Sequence, residues 1–515
     1  MRARRAVRDA PRVGRRLVLG VLALLPVLAA ACSSGDDGTA EGDAAAEEAP
    51  PDVDRPEGPA AEISGPLTGG QGINLATPVS GPSLEEAGWV EEEYRASGTA
   101  TSYRAEGELP ADGTYALVED ARADYATRIV VRRPADAEGF NGTVVVEWLN
   151  VSGGLDAAPD FAYMADELVR GGYAWVGVSA QHIGVEGGPV AVGVEAGEGI
   201  AGQGLRNLDP ARYGDLHHPG DAFAYDIYTQ VARALRDPGD TDPLGGLRPE
   251  RLLAVGESQS GFALTTYVNG VQPLTRAFDG FLVHSRGGAA APLGEPGAGI
   301  DIAGTVGGPP TRIRTDLDVP VLVLETETDV AGILNFLPAR QPDTELFRLW
   351  EVAGTAHADA YLLGGLADGL GCPAPVNDGP HHYVVKAALR ALDTWVRTGE
   401  APPEADRLEV DESGGTPVLV RDENGNARGG IRTPHVDVPT ATLSGEAPPG
   451  SSIACLLFGS TTPLSAERLA ELYESPEDYL AAWQEAADAA IEAGFVLEDD
   501  REALLADADP DVIPG

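Results

Sequence analysis

Short apolar segments alternate with amphipathic helical segments along most of the chain, and this order limits the folds that the chain can adopt. The apolar segments are rich in β-branched residues, as are strands buried on both faces of a parallel sheet. They are residues 127–132, 143–149, 173–179, 252–255, 280–284, 319–324 and 346–352. Apolar residues recur at helical spacing in residues 161–170, 220–236, 259–269 and 382–396. We therefore predict an α/β fold with a mostly parallel sheet and helices on both faces.

Two long Gly-rich insertions interrupt this alternation, at residues 180–219 and 285–318. Connections of this length tend to form lids or pocket walls, and we predict that role for both. Beyond them, residues 401–515 contain short strands around Asn424-Gly425, a dipeptide that favours tight turns, and a closing amphipathic helix. We predict that this segment is a C-terminal appendage packed on the core.

The N-terminal residues 1–31 begin with an arginine-rich stretch and continue with an apolar run that ends in three alanines before Cys32. The run is too short for a comfortable membrane-spanning helix, and the small residues after it are typical of an export signal. The sequence around Cys32 resembles a bacterial lipobox, in which the cysteine thiol is lipidated. We therefore predict a lipoprotein signal peptide over residues 1–31 and membrane attachment of an exported protein through Cys32. A secreted protein with an ordinary signal peptide is the alternative.

Residues 32–63 consist mainly of Gly, Ala, Pro, Asp and Glu. A segment with so few large apolar residues cannot bury enough surface to fold, so we predict an acidic disordered tether that leads to one domain over residues 64–515. Cys372 and Cys455 are the only cysteines that follow Cys32. In an oxidising compartment they can form one disulfide, and two free buried thiols are the alternative.

The chain of 515 residues has a formal net charge of −45, from 81 acidic and 36 basic residues. This charge repels a phosphate backbone and excludes a nucleic-acid binder, and it disfavours anionic substrates. Lys386 is the only lysine and lies in a helical segment, so no phosphate-binding Gly-Lys motif exists. The neighbours in His217-His218 and His381-His382 diverge by about 100° on a helix and rarely share a metal ion. We predict no metal, no cofactor and no obligate protein partner.

Residues 251–264 combine an apolar strand, a short turn and the start of a helix, which is the setting of a nucleophile elbow. In such an elbow the residues two before and two after the nucleophilic serine must be small. For Ser258 those residues are Gly256 and Ser260, a mild departure from the G-x-S-x-G pattern. Ser260 fits the role less well, because bulky Phe262 lies two residues after it. We predict Ser258 as the nucleophile.

Candidates for the other catalytic groups follow two later strands, in the order serine, acid, histidine. His357 follows the strand at 346–352 and is the predicted general base. Asp329 follows the strand at 319–324 and is the predicted acid, with Glu327 and Glu325 as alternatives. Parallel sheets assemble their sites at the carboxyl ends of the strands, where all these residues lie.

An oxyanion hole needs two N–H groups that point at the developing negative charge. Gln259 directly follows the predicted nucleophile, and its backbone N–H is the first predicted donor. The second is predicted in the Gly-rich turn at 150–154, from Asn150 or Val151.

Several segments resemble a family of bacterial alpha/beta hydrolase domain proteins: EWLNVSGG, VGESQSG, RLWEVAGTAHADAY, NDGPHHYVVKAALRALDTWVRTG and GGIRTPHVDVPT. The resemblance extends from about residue 64 to the end of the chain. It implies an alpha/beta hydrolase fold in one large unit and a serine hydrolase with Ser258, an acid near Asp329, and His357.

These observations predict an exported carboxylic-ester hydrolase that acts on a small neutral ester through an acyl-enzyme. A peptidase or a thioesterase would use the same three residues. The alternative from another class is a non-catalytic surface lipoprotein that binds a ligand in the same pocket.

Overall fold

The computed structural model describes residues 55–76, 81–193 and 199–514, without the side chain of Asp368. The predicted signal peptide, the predicted lipidation site Cys32 and the first part of the predicted tether lie outside the described residues. Among the helices of the described part, none has both the length and the apolar character needed to cross a bilayer.

One large sheet of nine strands forms the centre of the described part, in the order β1-β2-β3-β5-β4-β6-β7-β8-β9. Its strands are β1 (Glu62–Ser64), β2 (Trp89–Ala105), β3 (Leu117–Pro134), β4 (Thr143–Trp148), β5 (Ala174–Val178), β6 (Arg251–Glu257), β7 (Gly280–His284), β8 (Val321–Thr326) and β9 (Phe347–Val352). Strands β4 to β9 run parallel, whereas β1, β2 and β3 pair antiparallel. Two small hairpins follow, β10 (Val410–Asp411) with β11 (Val418–Leu419) and β12 (Ala441–Ser444) with β13 (Ser460–Pro463).

The helices connect the strands and continue into the C-terminal part. They are α1 (Pro159–Arg170), α2 (His182–Glu186), α3 (Gly204–Leu208), α4 (Pro210–Tyr213), α5 (Ala224–Arg236), α6 (Gln259–Thr266), α7 (Gln272–Thr275), α8 (Ile302–Val306), α9 (Glu327–Ala331), α10 (Ala360–Leu363), α11 (His381–Thr398), α12 (Pro434–Asp437), α13 (Ile453–Phe458), α14 (Ala466–Leu472), α15 (Pro476–Glu492) and α16 (Arg501–Ala506). The α/β prediction with a mostly parallel sheet is confirmed, and all seven predicted strands are present.

Helices cover both faces of the sheet because successive side chains of each strand point to opposite faces. On β4, Val144 and Val146 belong to the core that contains Ile227 of α5. Val145, between them, belongs to the second core, with Leu389 of α11. The continuous apolar runs of the sequence therefore correspond to strands that are buried on both faces of the sheet, as predicted.

The start of the domain differs from the sequence prediction. Glu62–Ser64 pairs with β2, and the backbone N–H of Ala61 donates to Gln230 O at 2.9 Å. Arg55 forms an ion pair with Asp279. The prediction of a disordered tether is therefore wrong for residues 55–63. An edge strand gains its pairing from main-chain hydrogen bonds, which the side-chain composition of a segment does not reveal.

The C-terminal segment packs closely on the core, as predicted. Its closing helix α15 begins after Ser475, whose hydroxyl accepts from the backbone N–H of Asp478 at 3.1 Å. Ala487 and Ala490 of this helix share a core cluster with Tyr383 of α11. Helix α13 is part of the core itself, because its Leu457 and Phe458 belong to the main core cluster.

Candidate active site

Ser258 lies in the turn between β6 and α6 with a positive φ of 59° and ψ of −122°. This conformation is rare for a residue with a side chain and stores strain at the end of the strand. Close backbone approach on both sides requires small residues. A Cβ on Gly256 would lie 3.0 Å from Cβ of Ser260, and a Cβ on Gly261 would lie 2.9 Å from His284 O. The second close approach therefore occurs at Gly261, one residue beyond the position that the sequence pattern indicated.

Ser258, His357 and Asp329 form a continuous series of hydrogen-bonding contacts at the carboxyl ends of β6, β8 and β9. Oγ of Ser258 lies 2.7 Å from Nε2 of His357, and Nδ1 of His357 lies 2.7 Å from Oδ1 of Asp329. The other oxygen of Asp329 accepts from the backbone N–H and the hydroxyl of Thr326, each at 2.7 Å. The turn after β8 thus fixes the carboxylate, and the carboxylate fixes the imidazole.

The two alternative acids have other surroundings. Glu327 accepts from the backbone N–H groups of Gly354 at 2.6 Å and Gly445 at 3.0 Å, and it also pairs with Arg421. Glu325 is fully buried, and neither of its carboxyl oxygens has a hydrogen-bond partner among the described residues. Of the three acids, the structure brings only Asp329 to His357 within the described part of the chain.

The electrostatic environment of Asp329 and His357 favours proton transfer to the imidazole. Burial opposes ionisation of Asp329, but the imidazole of His357 and the two hydrogen bonds from Thr326 outweigh it, so the pKa of Asp329 is lowered. Burial likewise opposes a charged His357, and here the carboxylates of Glu257 and Asp329 raise its pKa above the ordinary value. A histidine in this state accepts a proton more readily than a free imidazole does.

The three predicted oxyanion donors differ in the hydrogen bonds that their backbone N–H groups already make. Gln259 begins α6, so its backbone N–H has no acceptor within the helix. The N–H of Asn150, one of the two predicted second donors, donates to Ala157 O at 2.9 Å in this structure. This hydrogen bond is part of a backbone bridge between these two residues within the turn. The N–H of Val151 donates to Oε1 of Gln259 at 3.3 Å, the longer of the two contacts.

Glu257 is a site residue that the sequence reasoning missed. Its Oε1 lies 3.3 Å from Nε2 of His357, and its Oε2 accepts from Nδ2 of Asn150 at 3.2 Å. Burial raises the pKa of Glu257 to about 8. Its position in the sequence could have indicated this place in the site, because Glu257 is the last residue of β6 and directly precedes Ser258.

A cavity of about 490 Å³ opens in front of Ser258 and His357. Its walls are largely apolar and come mainly from five parts of the chain: Ile73, Leu75 and Ala76; Leu155, Ala157 and Pro159; Val192, Ile200 and Ala201; Leu362, Leu363 and Leu366; and Leu457 and Phe458. The insertion at 180–219 therefore contributes a wall, as predicted, and so does the C-terminal appendage.

The insertion at 285–318 does not line this cavity among the described residues. Its Arg286 is buried and donates to Oγ1 of Thr265 and to Thr311 O. Ala289 and Ile313 join the main core. The prediction of a lid or pocket role is wrong here, because the insertion fills space beside α6 with apolar side chains and a buried guanidinium, whose Nε has no hydrogen-bond partner among the described residues.

A disulfide joins Cys372 to Cys455. Cys372 follows the segment that contributes Leu362 and Leu366 to the cavity, and Cys455 lies on α13, which contributes Phe458. The bond therefore connects two walls of the cavity.

The histidines of the two adjacent pairs make separate contacts. Nε2 of His218 lies 2.8 Å from Ala180 O, and Nε2 of His381 lies 2.7 Å from Nε2 of His284. Within the described ranges, no group of three or more His, Cys, Asp or Glu is arranged to hold a metal ion.

A mostly parallel sheet with a strained serine on its strand-to-helix turn defines an alpha/beta hydrolase. The chain belongs to the alpha/beta hydrolase domain family, whose match covers residues 63–506. This membership identifies the protein as a hydrolase. No curated protein matches the chain.

Several solved structures of esterases are similar to this structure at low identity. A thermostable esterase from Pseudomonas putida ECU1011 is 14% identical, with 62% of this chain and 85% of that chain covered and a TM-score of 0.29. An esterase from Rhizomucor miehei is 10% identical, with 61% and 85% covered and a TM-score of 0.30. A cold-adapted esterase from an Arctic intertidal metagenomic library is 12% identical, with 51% and 84% covered and a TM-score of 0.27. At these values the similarities add nothing to the family match.

Proposed function

We propose that the protein is a serine hydrolase that cleaves neutral carboxylic esters with Ser258, His357 and Asp329. The observation that carries this proposal is the series of 2.7 Å contacts from Asp329 through His357 to Ser258, which ends at the floor of an apolar cavity. A nucleophile, a base within hydrogen-bond reach and a third group that orients the base are the elements that acyl transfer needs.

In the proposed reaction, Oγ of Ser258 attacks the ester carbonyl carbon while its proton moves to Nε2 of His357. The imidazolium then gives this proton to the departing alcohol, which leaves an acyl group on Ser258. Water attacks the acyl-enzyme, His357 accepts the proton of that water, and the acid is released as Oγ regains its proton. Asp329 holds the imidazole through Nδ1 and stabilises its charged form in both halves of the reaction.

The oxyanion of each tetrahedral intermediate would accept from the N–H groups of Gln259 and Val151. The N–H of Gln259 lies at the start of α6, where the helix dipole also favours negative charge. The N–H of Val151 must exchange its 3.3 Å bond to Oε1 of Gln259 for a bond to the substrate. A bond of this length is weak, which supports such an exchange.

The cavity supports a neutral substrate with an apolar acyl or alcohol group. Leucine, isoleucine, alanine and phenylalanine side chains make up most of its walls, and Glu257 is the acidic residue that faces it. An anionic substrate would meet this carboxyl group and the net charge of −45. Thioesters and amides undergo the same acyl chemistry, so thioesterase and peptidase activity are the alternatives within this mechanism.

The sequence supports a further proposal, that the protein is exported and attached to a membrane through a lipid on Cys32. The disulfide between Cys372 and Cys455 agrees with an oxidising compartment. Mass spectrometry of the N-terminal peptide from the native host tests this proposal. A diacylated Cys32 at the new N-terminus is expected, and an unmodified Cys32 in a secreted or cytosolic chain would contradict it.

Replacement of the nucleophile tests the function. We expect wild-type protein to hydrolyse a short p-nitrophenyl ester and to react with a fluorophosphonate probe at Ser258. In Ser258→Ala, kcat should fall by about 10⁴-fold or more, because the covalent route is lost. Ser260→Ala is the matched control, since this buried neighbouring serine makes no contact with His357 in the described structure, and it should retain activity within about tenfold.

A panel of esters, thioesters and amides of one acyl group separates the alternatives. Faster cleavage of the thioester or amide would replace the ester assignment. A folded wild-type protein that neither reacts with the probe nor cleaves any of the panel would favour the ligand-binding alternative, and undiminished hydrolysis by Ser258→Ala would refute the assignment of the nucleophile.

A further inference from the structure

Glu257 contacts the same nitrogen of His357 that contacts Ser258. Its Oε1 lies 3.3 Å from Nε2, whereas Oγ of Ser258 lies 2.7 Å from it. The amide of Asn150 holds Glu257 in place, because Nδ2 donates to both Oε2 and the main-chain oxygen of Glu257, each at 3.2 Å. Glu257 is only 5% exposed, and that exposure faces the cavity. The carboxyl group is therefore fixed beside the atom that would carry the transferred proton.

We propose that Glu257 is a fourth catalytic residue, which stabilises the imidazolium of His357 from the Nε2 side as Asp329 does from the Nδ1 side. This inference rests on the proposed serine hydrolase function and adds to it. When Ser258 transfers its proton, the new N–H at Nε2 has the Glu257 carboxylate as a second acceptor. A hydrogen bond between two charged groups is stronger than one between neutral groups, so the imidazolium gains more than the neutral ring does.

The ionisation of Glu257 is set by its surroundings. Burial raises its pKa to about 8, the charges of Asp160 and Asp329 act in the same direction, and His357 and the amide of Asn150 act against them. Deprotonation places a full negative charge beside the imidazole and contributes to the raised pKa of His357. The two ionisations therefore favour each other, because the Glu257 carboxylate raises the pKa of His357 and the imidazolium lowers the pKa of Glu257.

Three other ionisable groups influence or face Glu257, and their titration has to be distinguished from that of Glu257. Asp160 on α1 is fully buried, and burial raises its pKa to about 8 as well. Tyr163, also on α1, has a pKa raised well above its ordinary value by burial and stays neutral. Asp329 stays ionised, because its pKa is lowered. Asp160 is thus the neighbour whose titration has to be distinguished from that of Glu257.

The pH dependence of ester hydrolysis provides the first test. Wild-type kcat should rise near pH 8 as Glu257 ionises, and this rise should be absent in Glu257→Gln, whose kcat at pH 9 should be lower by about 10- to 100-fold. KM should change little, because the glutamine keeps the shape of the cavity. Asp160→Asn should retain the rise. The proposal is overturned if Glu257→Gln keeps the wild-type profile, or if the rise disappears in Asp160→Asn instead.

Glu250→Gln is the matched control for the substitution itself, because Glu250 precedes the same strand at its far end and pairs with Arg251 at the surface. It should leave both kcat and the profile unchanged. Glu257→Asp keeps the charge on a shorter side chain, and partial recovery of the rise is expected. Equal profiles for Glu257→Asp and Glu257→Gln would contradict a role for the charge.

A titration of the imidazole provides a second test that does not depend on turnover. In Ser258→Ala, the ring ¹⁵N shifts of His357 report its pKa, and the added change Glu257→Gln should lower that pKa by about one pH unit. An unchanged pKa overturns the proposal even where the probe reacts with Ser258 in the wild-type protein. A lowered pKa in a protein whose Ser258 never reacts refutes the proposed hydrolase function and leaves the Glu257–His357 contact established.

Discussion

Two Asp–His pairs lie near the carboxyl edge of the same sheet. In one, Asp329 lies 2.7 Å from Nδ1 of His357. In the other, Asp160 lies 2.8 Å from Nδ1 of His284, the last residue of β7. The two pairs have the same residue types and nearly the same geometry at Nδ1. They differ in what lies beyond Nε2 of each ring.

Nε2 of His357 contacts Ser258 at 2.7 Å and borders the cavity, whereas Nε2 of His284 lies 2.7 Å from Nε2 of His381 in an interior with no exposed surface. Burial lowers the pKa of His284 to about 3, whereas neighbouring carboxylates raise that of His357. His284 therefore stays neutral as part of the core. An Asp–His contact acquires chemistry only where a nucleophile and a substrate can reach the free ring nitrogen.

Matched substitutions of the two acids should show the largest difference. Asp329→Asn should lower kcat by about 10⁴-fold, because the amide no longer stabilises the imidazolium or its tautomer. Asp160→Asn should keep kcat within about tenfold and lower the free energy of unfolding by about 1–3 kcal/mol, since a buried contact is impaired. Steady-state kinetics and urea unfolding measure both. Equal losses of kcat would mean that the two pairs act as one unit.

Substitutions of the two histidines should have different effects: loss of His284 should mainly lower stability, and loss of His357 should mainly lower activity. His284→Gln should lower the free energy of unfolding by about 2–4 kcal/mol, because Asp160 and His381 lose their common partner in the interior. His357→Gln should change that free energy by about 1 kcal/mol or less and abolish ester turnover. A stable His284→Gln protein would show that the buried pair does not contribute to the fold.

The acid limb of the activity profile should give the smallest effect. Because its pKa is raised, His357 becomes protonated at a pH above the ordinary value for histidine and loses its function as a base below that pH. In this range kcat/KM should fall about tenfold for each pH unit. The limb should be unchanged in Asp160→Asn, since the pKa of His284 is too low for its protonation to matter there. A shifted limb in that variant would show coupling between the pairs.

The parallel half of the sheet could be predicted because strands buried on both faces must be apolar at nearly every position. The hairpin of β2 and β3 could not be predicted in full. Residues 89–105 include three consecutive glutamates and Gly98, and their buried positions are interspersed with half-buried and exposed ones. Partly exposed antiparallel strands tolerate such residues, so their composition resembles that of a loop. The edge strand at Glu62–Ser64 was missed for a related reason, since main-chain pairing carries it.

Within the site, chain order and strand ends led to Ser258 and His357 and to a group of three acids after β8, of which only the folded turn shows that Asp329 contacts His357. The oxyanion turn was harder to predict. The N–H of Asn150 donates to Ala157 and that of Val151 donates to Oε1 of Gln259, and only the folded turn shows these two contacts. The two Gly-rich insertions also looked alike, although one reaches the cavity and the other fills the interior. Loop composition does not specify which surface a loop will cover.

The wall that Leu457 and Phe458 contribute has a consequence for how the protein is made. All three residues of the proposed triad precede residue 358, so a nascent chain that has emerged only that far carries the chemical groups without a complete binding cavity. The cavity is complete only after α13, which carries Cys455 and contributes Phe458, has been synthesised. Substrate binding would therefore begin late in biogenesis, because a chain that ends after the triad lacks one wall of the cavity and the core residues of α11 and α13.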